Sequence, residues 1–137
     1  RAGELTIAGD YKFFERQEWR AIRDAYGLHF RAQRTMKTAF LSTAARSGDV
    51  DVVSAYSSDG RIKQFDLVVL DDPKHAIPSY DAVLLISPRR AHDERLRRAL
   101  EPLIGSIGIE TMRQANLMAD RDHDKRTPAQ AAAFLEH

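Results

Sequence analysis

No cysteine occurs among the 137 residues, which excludes disulfide staples and thiolate metal sites while leaving the compartment open. No apolar run comes near the roughly 18 residues that a membrane-crossing helix requires. The chain opens Arg1-Ala2-Gly3, without the basic-then-apolar pattern of an export signal, so no signal peptide is expected within it. Charge of one sign is scarce too. With 21 Lys and Arg against 20 Asp and Glu, the formal net charge is +1, and no basic stripe suited to nucleic acid stands out. Also missing are a Gly-rich phosphate loop, a paired zinc-ligand motif and a nucleophile elbow, and the five histidines are scattered. Asp120 to Asp124 alternates acids as a calcium loop does, but Lys125 stands where that loop needs glycine and Ala131 where it needs its bidentate acid. The expectation is therefore no metal, no cofactor, no nucleic-acid partner and no enzymatic chemistry.

What is present suffices for one globular domain. Hydrophobic residues make up 43% of the chain, enough for a core but not for two full lobes. The start at Arg1 and the ending Leu135-Glu136-His137, which reads like the opening of a purification tag, suggest an excised piece. The expected division is a single lobe over 1–134 and a tag remnant over 135–137.

Glu4 to Ala8 is β-prone, and Gly9-Asp10 behind it is a turn signal. Phe14, Trp19, Ile22 and Tyr26 recur at about helical spacing, with Gly27 as the stop. Leu28 to Arg34 alternates as a strand does, Thr35 can cap a helix lasting to Gly48, and Asp49 to Tyr56 reads as a third strand. This β-α-β-α-β order with short connections predicts a parallel sheet covered by helices. Two further apolar runs, Asp66 to Leu70 and Ala82 to Ser87, read as buried strands. Pro88 then opens a helical tail with helices over about Asp93 to Leu103, around Thr111 to Leu117, and from Thr127-Pro128, which has capping-box spacing with Gln130.

Ligands of such sheets gather at the carboxyl ends of the strands, which makes the adjoining loops the place to look. Tyr56 ends the third strand and Tyr80 lies in the loop entering the last, so both can face one cleft. Aromatic faces attract a quaternary ammonium, which has no N–H to donate, through their quadrupoles. Arg16, after the first strand, is placed to meet an anionic group, and Asp10, Ser58 and Asp59 sit at similar loop ends. Short polar residues there are also the ordinary chemistry of turns and caps. A receiver-like phospho-signalling domain is an alternative, because Leu67 to Leu70 ends in Asp71-Asp72. It lacks the acid pair after the first strand and the lysine after the last. A small doubly wound enzyme using Asp59 and His75 is another, though nothing in the spacing requires those two to meet.

Three blocks in order carry a family resemblance: Gly9-Asp10-Tyr11-Lys12-Phe13-Phe14-Glu15-Arg16-Gln17-Glu18-Trp19, then Gly48-Asp49-Val50-Asp51-Val52-Val53-Ser54-Ala55-Tyr56-Ser57-Ser58-Asp59-Gly60-Arg61-Ile62, then Asp66 to Asp72 with Pro78-Ser79-Tyr80-Asp81-Ala82. The chain resembles, over nearly its whole length, the substrate-binding proteins of glycine betaine, choline and proline-betaine ABC importers. The resemblance implies a lobe of the type II periplasmic-binding-protein fold, α/β with a mostly parallel sheet and a helical C-terminal tail. It implies a hinge-bending protein on the periplasmic or extracellular face of the cytoplasmic membrane, partnered by an ABC transporter permease. It also implies a missing first lobe ahead of Arg1, and an aromatic cage to which Tyr56 and Tyr80 belong, with Arg16 at the betaine carboxylate. Ser58 replaces the family's usual threonine, Ser79 its second proline, and Ala76-Ile77 a common aromatic pair, so ligand identity is expected to drift before the fold does.

Overall fold

Thr6–Gly9 forms β1, and all four of its residues are buried. A strand covered on both faces and paired on both edges must carry small or apolar side chains, and Thr-Ile-Ala-Gly meets that demand. In the computed structural model, which describes residues 2–136, β1 is the middle of a three-stranded parallel sheet. Ala32–Thr35 (β2) lies on one side, with Thr6 opposite Ala32, and Val52–Val53 (β3) lies on the other, with Ile7 opposite Val52. The ends of the chain on which the excised-piece expectation partly rests, Arg1 and His137, lie outside the described residues.

Two helices cover this sheet. Gln17–Tyr26 (α1) follows β1 through a short 3-10 turn at Phe13–Glu15, and Thr38–Ser47 (α2) follows β2. Each ends on a glycine in the left-handed conformation, Gly27 at φ 61° and Gly48 at φ 79°, as the stop signals predict. Trp19 turns inward from α1 with only 3% exposure and stacks edge-on or tilted against Phe13, Phe14 and Phe30 at centroid distances of 5.5, 5.3 and 6.1 Å. On the α2 side, Leu41, Ala44 and Val50 pack around Ala8, with Met36 and Val53 at the edge of the cluster. Burying a leucine such as Leu41 contributes on the order of 2 kcal/mol.

Gly60–Gln64 (α3) begins behind β3, and the tail contributes Glu94–Leu100 (α4), Ile109–Asp120 (α5) and Pro128–Phe134 (α6). The last is capped as its sequence predicts. The Thr127 hydroxyl accepts from the Gln130 amide, the Gln130 side chain accepts from the Thr127 amide, and Pro128 occupies the first turn. The α5 helix packs on α3 and α6 on α5, burying Ile62, Ala115 and Ala131.

Several boundaries differ from the sequence expectation. The second strand starts at Ala32 rather than Leu28, and α2 starts at Thr38 with Lys37 in the capping position. Thr35 does not cap it, because Thr35 completes β2 and the next amide, Met36, donates to the Gly9 carbonyl at 3.1 Å. The third strand is limited to two residues, although Asp51 and Ser54 extend its pairing, their amides donating to Thr6 and Ala8 at 3.0 Å each. The Asp51 carboxylate returns the bond by accepting from the Thr6 amide at 2.7 Å.

The larger correction concerns the apolar runs at 66–70 and 82–87, neither of which joins the sheet among the described residues. Val68, Leu70, Val83 and Leu85 are 85, 74, 71 and 91% exposed. Their apolar composition matches burial, but no described element supplies the covering surface.

Helices α3 and α5 meet at Gly60. A Cβ at that position would sit 2.4 Å from the Leu117 backbone nitrogen and 2.6 Å from its Cα, so only glycine allows the approach. Gly60→Ala should therefore cost about 1–3 kcal/mol. Urea unfolding of the variant checks this, and an unchanged midpoint would show that the helices yield at no cost.

Candidate functional site

The carboxyl edge of the sheet brings together residues from three separate stretches. Asp10 leaves β1 and caps the turn behind it, its Oδ1 accepting from the Lys12 amide at 2.8 Å and its Oδ2 from the Arg16 guanidinium at 3.4 Å. Arg16 occupies the residue before α1, where the backbone is extended and the side chain is free to reach across the edge. The guanidinium is held above its ordinary value, first by the Tyr56 hydroxyl and next by the Asp10 carboxylate. Asp10 and Arg16 thus form an ion pair, with Tyr56 alongside the guanidinium.

Tyr56 leaves β3, and Tyr80 arrives from the irregular segment ahead of the tail. Their rings lie 6.3 Å apart with a 60° tilt, within the range of a tilted aromatic pair. Both remain open to solvent, at 58 and 57% exposure. The Tyr80 hydroxyl donates to the Glu18 carboxylate on the first turn of α1 at 2.6 Å. That bond holds the Glu18 carboxyl below its ordinary value and the Tyr80 phenol above its own.

Ser58 and Asp59 build the turn that carries Tyr56. The Asp59 amide donates to the Tyr56 carbonyl at 3.0 Å, and the Asp59 carboxylate caps α3 by accepting from the Arg61 amide at 2.9 Å. Half-buried Ser58 offers its backbone carbonyl to the Asn116 side chain at 2.8 Å, and the Ser57 carbonyl accepts from Arg113 at 2.6 Å. Both partners stand on α5. The site's first tyrosine is therefore fixed from behind by the helical tail.

A second anchor holds the approach to Tyr80. The Tyr26 hydroxyl, at the end of α1, donates to Asp72, whose other oxygen accepts from the Ile77 amide at 2.8 Å. The Lys74 amide donates to the same hydroxyl at 2.9 Å, and its ammonium lies 5.0 Å over the Tyr26 ring. Asp72 is held below its ordinary value first by the Tyr26 hydroxyl and then by the Ile77 amide, while burial and Asp72 push Tyr26 up.

Glu18, Arg113 and Asn116 were not among the residues singled out in the sequence, and Asp72 was singled out for phospho-signalling rather than for its bond to Tyr26. Glu18 stands two residues beyond Arg16, within the Gly9–Trp19 stretch that carries the family resemblance. Arg113 and Asn116 carry no local signal, because their partners are more than fifty residues away. Tyr56 and Tyr80 line neither of two shallow clefts, one of about 560 Å³ away from the site between Leu84, Ile86 and α4, the other of about 350 Å³ beside it between Gln17, Glu18, Ala21, Ala76 and Pro78. The tyrosine pair is an open wall. Among the described residues no group of three or more His, Asp or Glu stands where it could hold a metal ion, and no helix is long and apolar enough to cross a membrane.

A small parallel sheet flanked by helices gathers aromatic and charged side chains at its carboxyl edge, the place where ligands of such sheets bind. Residues 1–136 match the family described as the substrate binding domain of ABC-type glycine betaine transport systems, and the chain belongs to that family. The carnitine transport binding protein OpuCC of Listeria monocytogenes is 34% identical over 121 residues, which are 85% of this chain and 39% of that protein. The glycine-betaine-binding protein of Pseudomonas aeruginosa is 32% identical over 122 residues, 85% of this chain and 38% of its own. The ergothioneine transport permease/ergothioneine binding protein EgtU of Helicobacter pylori is 30% identical over 119 residues, 85% of this chain and 21% of its own. A crystal structure of a glycine betaine/carnitine/choline ABC transporter superposes with a TM-score of 0.82 at 28% identity, over 99% of this chain and 50% of that one. The chain thus spans well under half the length of these relatives and half the solved chain. The receiver and doubly wound enzyme alternatives are not favoured by this kinship. Asp72 is engaged by Tyr26 and Ile77, and Asp59 caps α3.

A carboxyl held below its ordinary value contributes stability above that value and loses it as pH falls through the lowered one. Acidification below the usual carboxylate range should therefore release the 72–77 loop. Tyr26→Phe removes the principal donor, so the Asp72 carboxyl should rise toward its ordinary value and the Ile77 amide should lose hydrogen-exchange protection at a higher pH than in the wild type. Identical exchange profiles would show that the anchor does not hold the loop.

Proposed function

We propose that this chain is one lobe of a two-lobed binding protein that captures quaternary-ammonium solutes, of the glycine betaine, choline and proline betaine kind, and presents them to an ABC permease for osmoprotectant uptake. The observation that carries this reading is the pairing of Tyr56 with Tyr80, two half-exposed rings 6.3 Å apart beside Arg16. A trimethylammonium group has no proton to donate and sheds its water easily, so facing ring surfaces hold it where hydrogen-bond acceptors would not. Arg16 supplies a guanidinium fork for the carboxylate of a betaine. Nothing in this arrangement calls for a bond to be broken, and the reading is of capture and release without catalysis.

The two rings offer one wall, and a cleft that excludes water from its ligand needs another. A first lobe closing over this edge would provide it. The exposed runs around Val68 and Leu85 favour such a partner, because a chain rarely leaves so much aliphatic surface in water. The lengths of the relatives favour it as well. In such a protein the lobe works outside the cytoplasmic membrane, on the periplasmic or extracellular face, and closure signals to the permease.

Calorimetry with glycine betaine and choline tests the reading. In the complete translated protein, Tyr56→Ala and Tyr80→Ala should each weaken binding roughly tenfold. The 137-residue chain alone should bind at least about a hundredfold more weakly than the complete protein, since only half the enclosure is present. Undiminished affinity in both alanine variants would remove the tyrosines from the site. Micromolar binding by the chain alone would remove the need for a first lobe.

A further inference from the structure

Glu18 has no part in the reading above, yet it makes the most direct polar contact with the aromatic pair. Its carboxylate accepts the Tyr80 hydroxyl proton at 2.6 Å, the length of a charge-assisted O–H···O⁻ bond. It stands on the first turn of α1, two residues beyond the arginine at the other end of the site, so backbone geometry fixes its place relative to both Arg16 and Tyr80.

Two effects follow from that bond. A phenol donating to a carboxylate carries more negative charge in its ring than one donating to water, which deepens the negative face that attracts a cation. The carboxylate also changes the charge of the edge. Asp10 and Glu18 set two negative charges against the single positive charge of Arg16, and Arg16 is already drawn to Asp10 at 3.4 Å. The Glu18 carboxylate is left as the anionic group bonded to the tyrosine pair.

We propose that Glu18 is a specificity-determining residue, tuning the Tyr56–Tyr80 pair toward quaternary-ammonium ligands of net positive charge, such as trimethylammonium alcohols, over zwitterionic trimethylammonium carboxylates. The inference rests on the quaternary-ammonium reading and deepens it. A net cation gains from the Glu18 carboxylate without opposition. In a betaine the same carboxylate attracts the ammonium and repels the ligand's own carboxylate a few ångströms away, so the two effects largely cancel.

The groups facing the Tyr80 phenol are Glu18, Arg16 and Tyr56. The first raises its pKa by accepting its proton, and Arg16 opposes this weakly. The bond can thus be followed without any ligand, by titrating the chain with ¹³C-labelled tyrosine.

Glu18→Gln separates position from charge, since the amide oxygen still accepts the Tyr80 hydroxyl while the charge is gone. In this variant the Tyr80 titration should move down toward the ordinary tyrosine value. In the complete translated protein, calorimetry should show choline bound roughly fivefold more weakly and glycine betaine changed by less than about twofold. Glu18→Ala, which also frees the ring, should weaken both ligands. Equal loss of choline and betaine in Glu18→Gln, or no change in either, overturns the role given to Glu18. So does a Tyr80 titration that does not move. Failure of the wild-type protein to bind either ligand overturns the quaternary-ammonium reading itself, an outcome distinct from an unchanged ratio between the two.

Discussion

The backbone of Thr6–Gly9 is hydrogen-bonded to a parallel strand on each side, and its register decides where every loop of the site emerges. Parallel pairing sends β1, β2 and β3 out at the same edge, so Asp10, Met36 and Ser54 leave the sheet side by side. The pairing is reinforced at its other end, where Asp51 and Thr6 exchange a carboxylate and a carbonyl for each other's amides. Burial on both faces then leaves little choice of side chain in the strand. A bulky or charged residue at Ala8 would collide with Leu41 and Val50, and with the strand would go the alignment of Arg16 and Tyr56.

Around that edge the site is assembled by hydrogen bonds to the backbone as much as by packing. Tyr56 rides on a turn closed by Asp59 and fastened to α5 by Arg113 and Asn116. Tyr80 rides on a segment with little regular structure that is tied to α1 by its own hydroxyl, which donates to Glu18, and farther back by Asp72, which accepts from the Tyr26 hydroxyl, and by Lys74. The two rings are thus supported unequally. One belongs to the folded body, and the other depends on ties that titrate.

The elements with local chemistry were legible in the sequence. The stops at Gly27 and Gly48, the capping box at Thr127, the inward Trp19 and the parallel order of the first three strands all follow from signals a few residues long. Tyr56 and Tyr80 carried a local signal because each lies at a loop beside an expected strand end and within a stretch that resembles the family, and their rings meet at 6.3 Å. The strands expected at 66–70 and 82–87 did not form, because an apolar run states only that a surface will be covered, not by what. Residues acting over long range were silent for the same reason. Arg113 on a helix reads as a solvated charge until the carbonyl it reaches is known, and Glu18 reads as helix-start chemistry until Tyr80 arrives beside it.

The bare contact between Gly60 and Leu117 has a mechanical consequence. With no side chain between them, α3 and α5 cannot slide without breaking backbone contact, and α6 is packed onto α5 in turn. The turn bearing Tyr56 is bonded to that same α5. A force applied to the ring of Tyr56 is therefore borne by three helices moving as one block, while a force on Tyr80 is borne by a tether to α1.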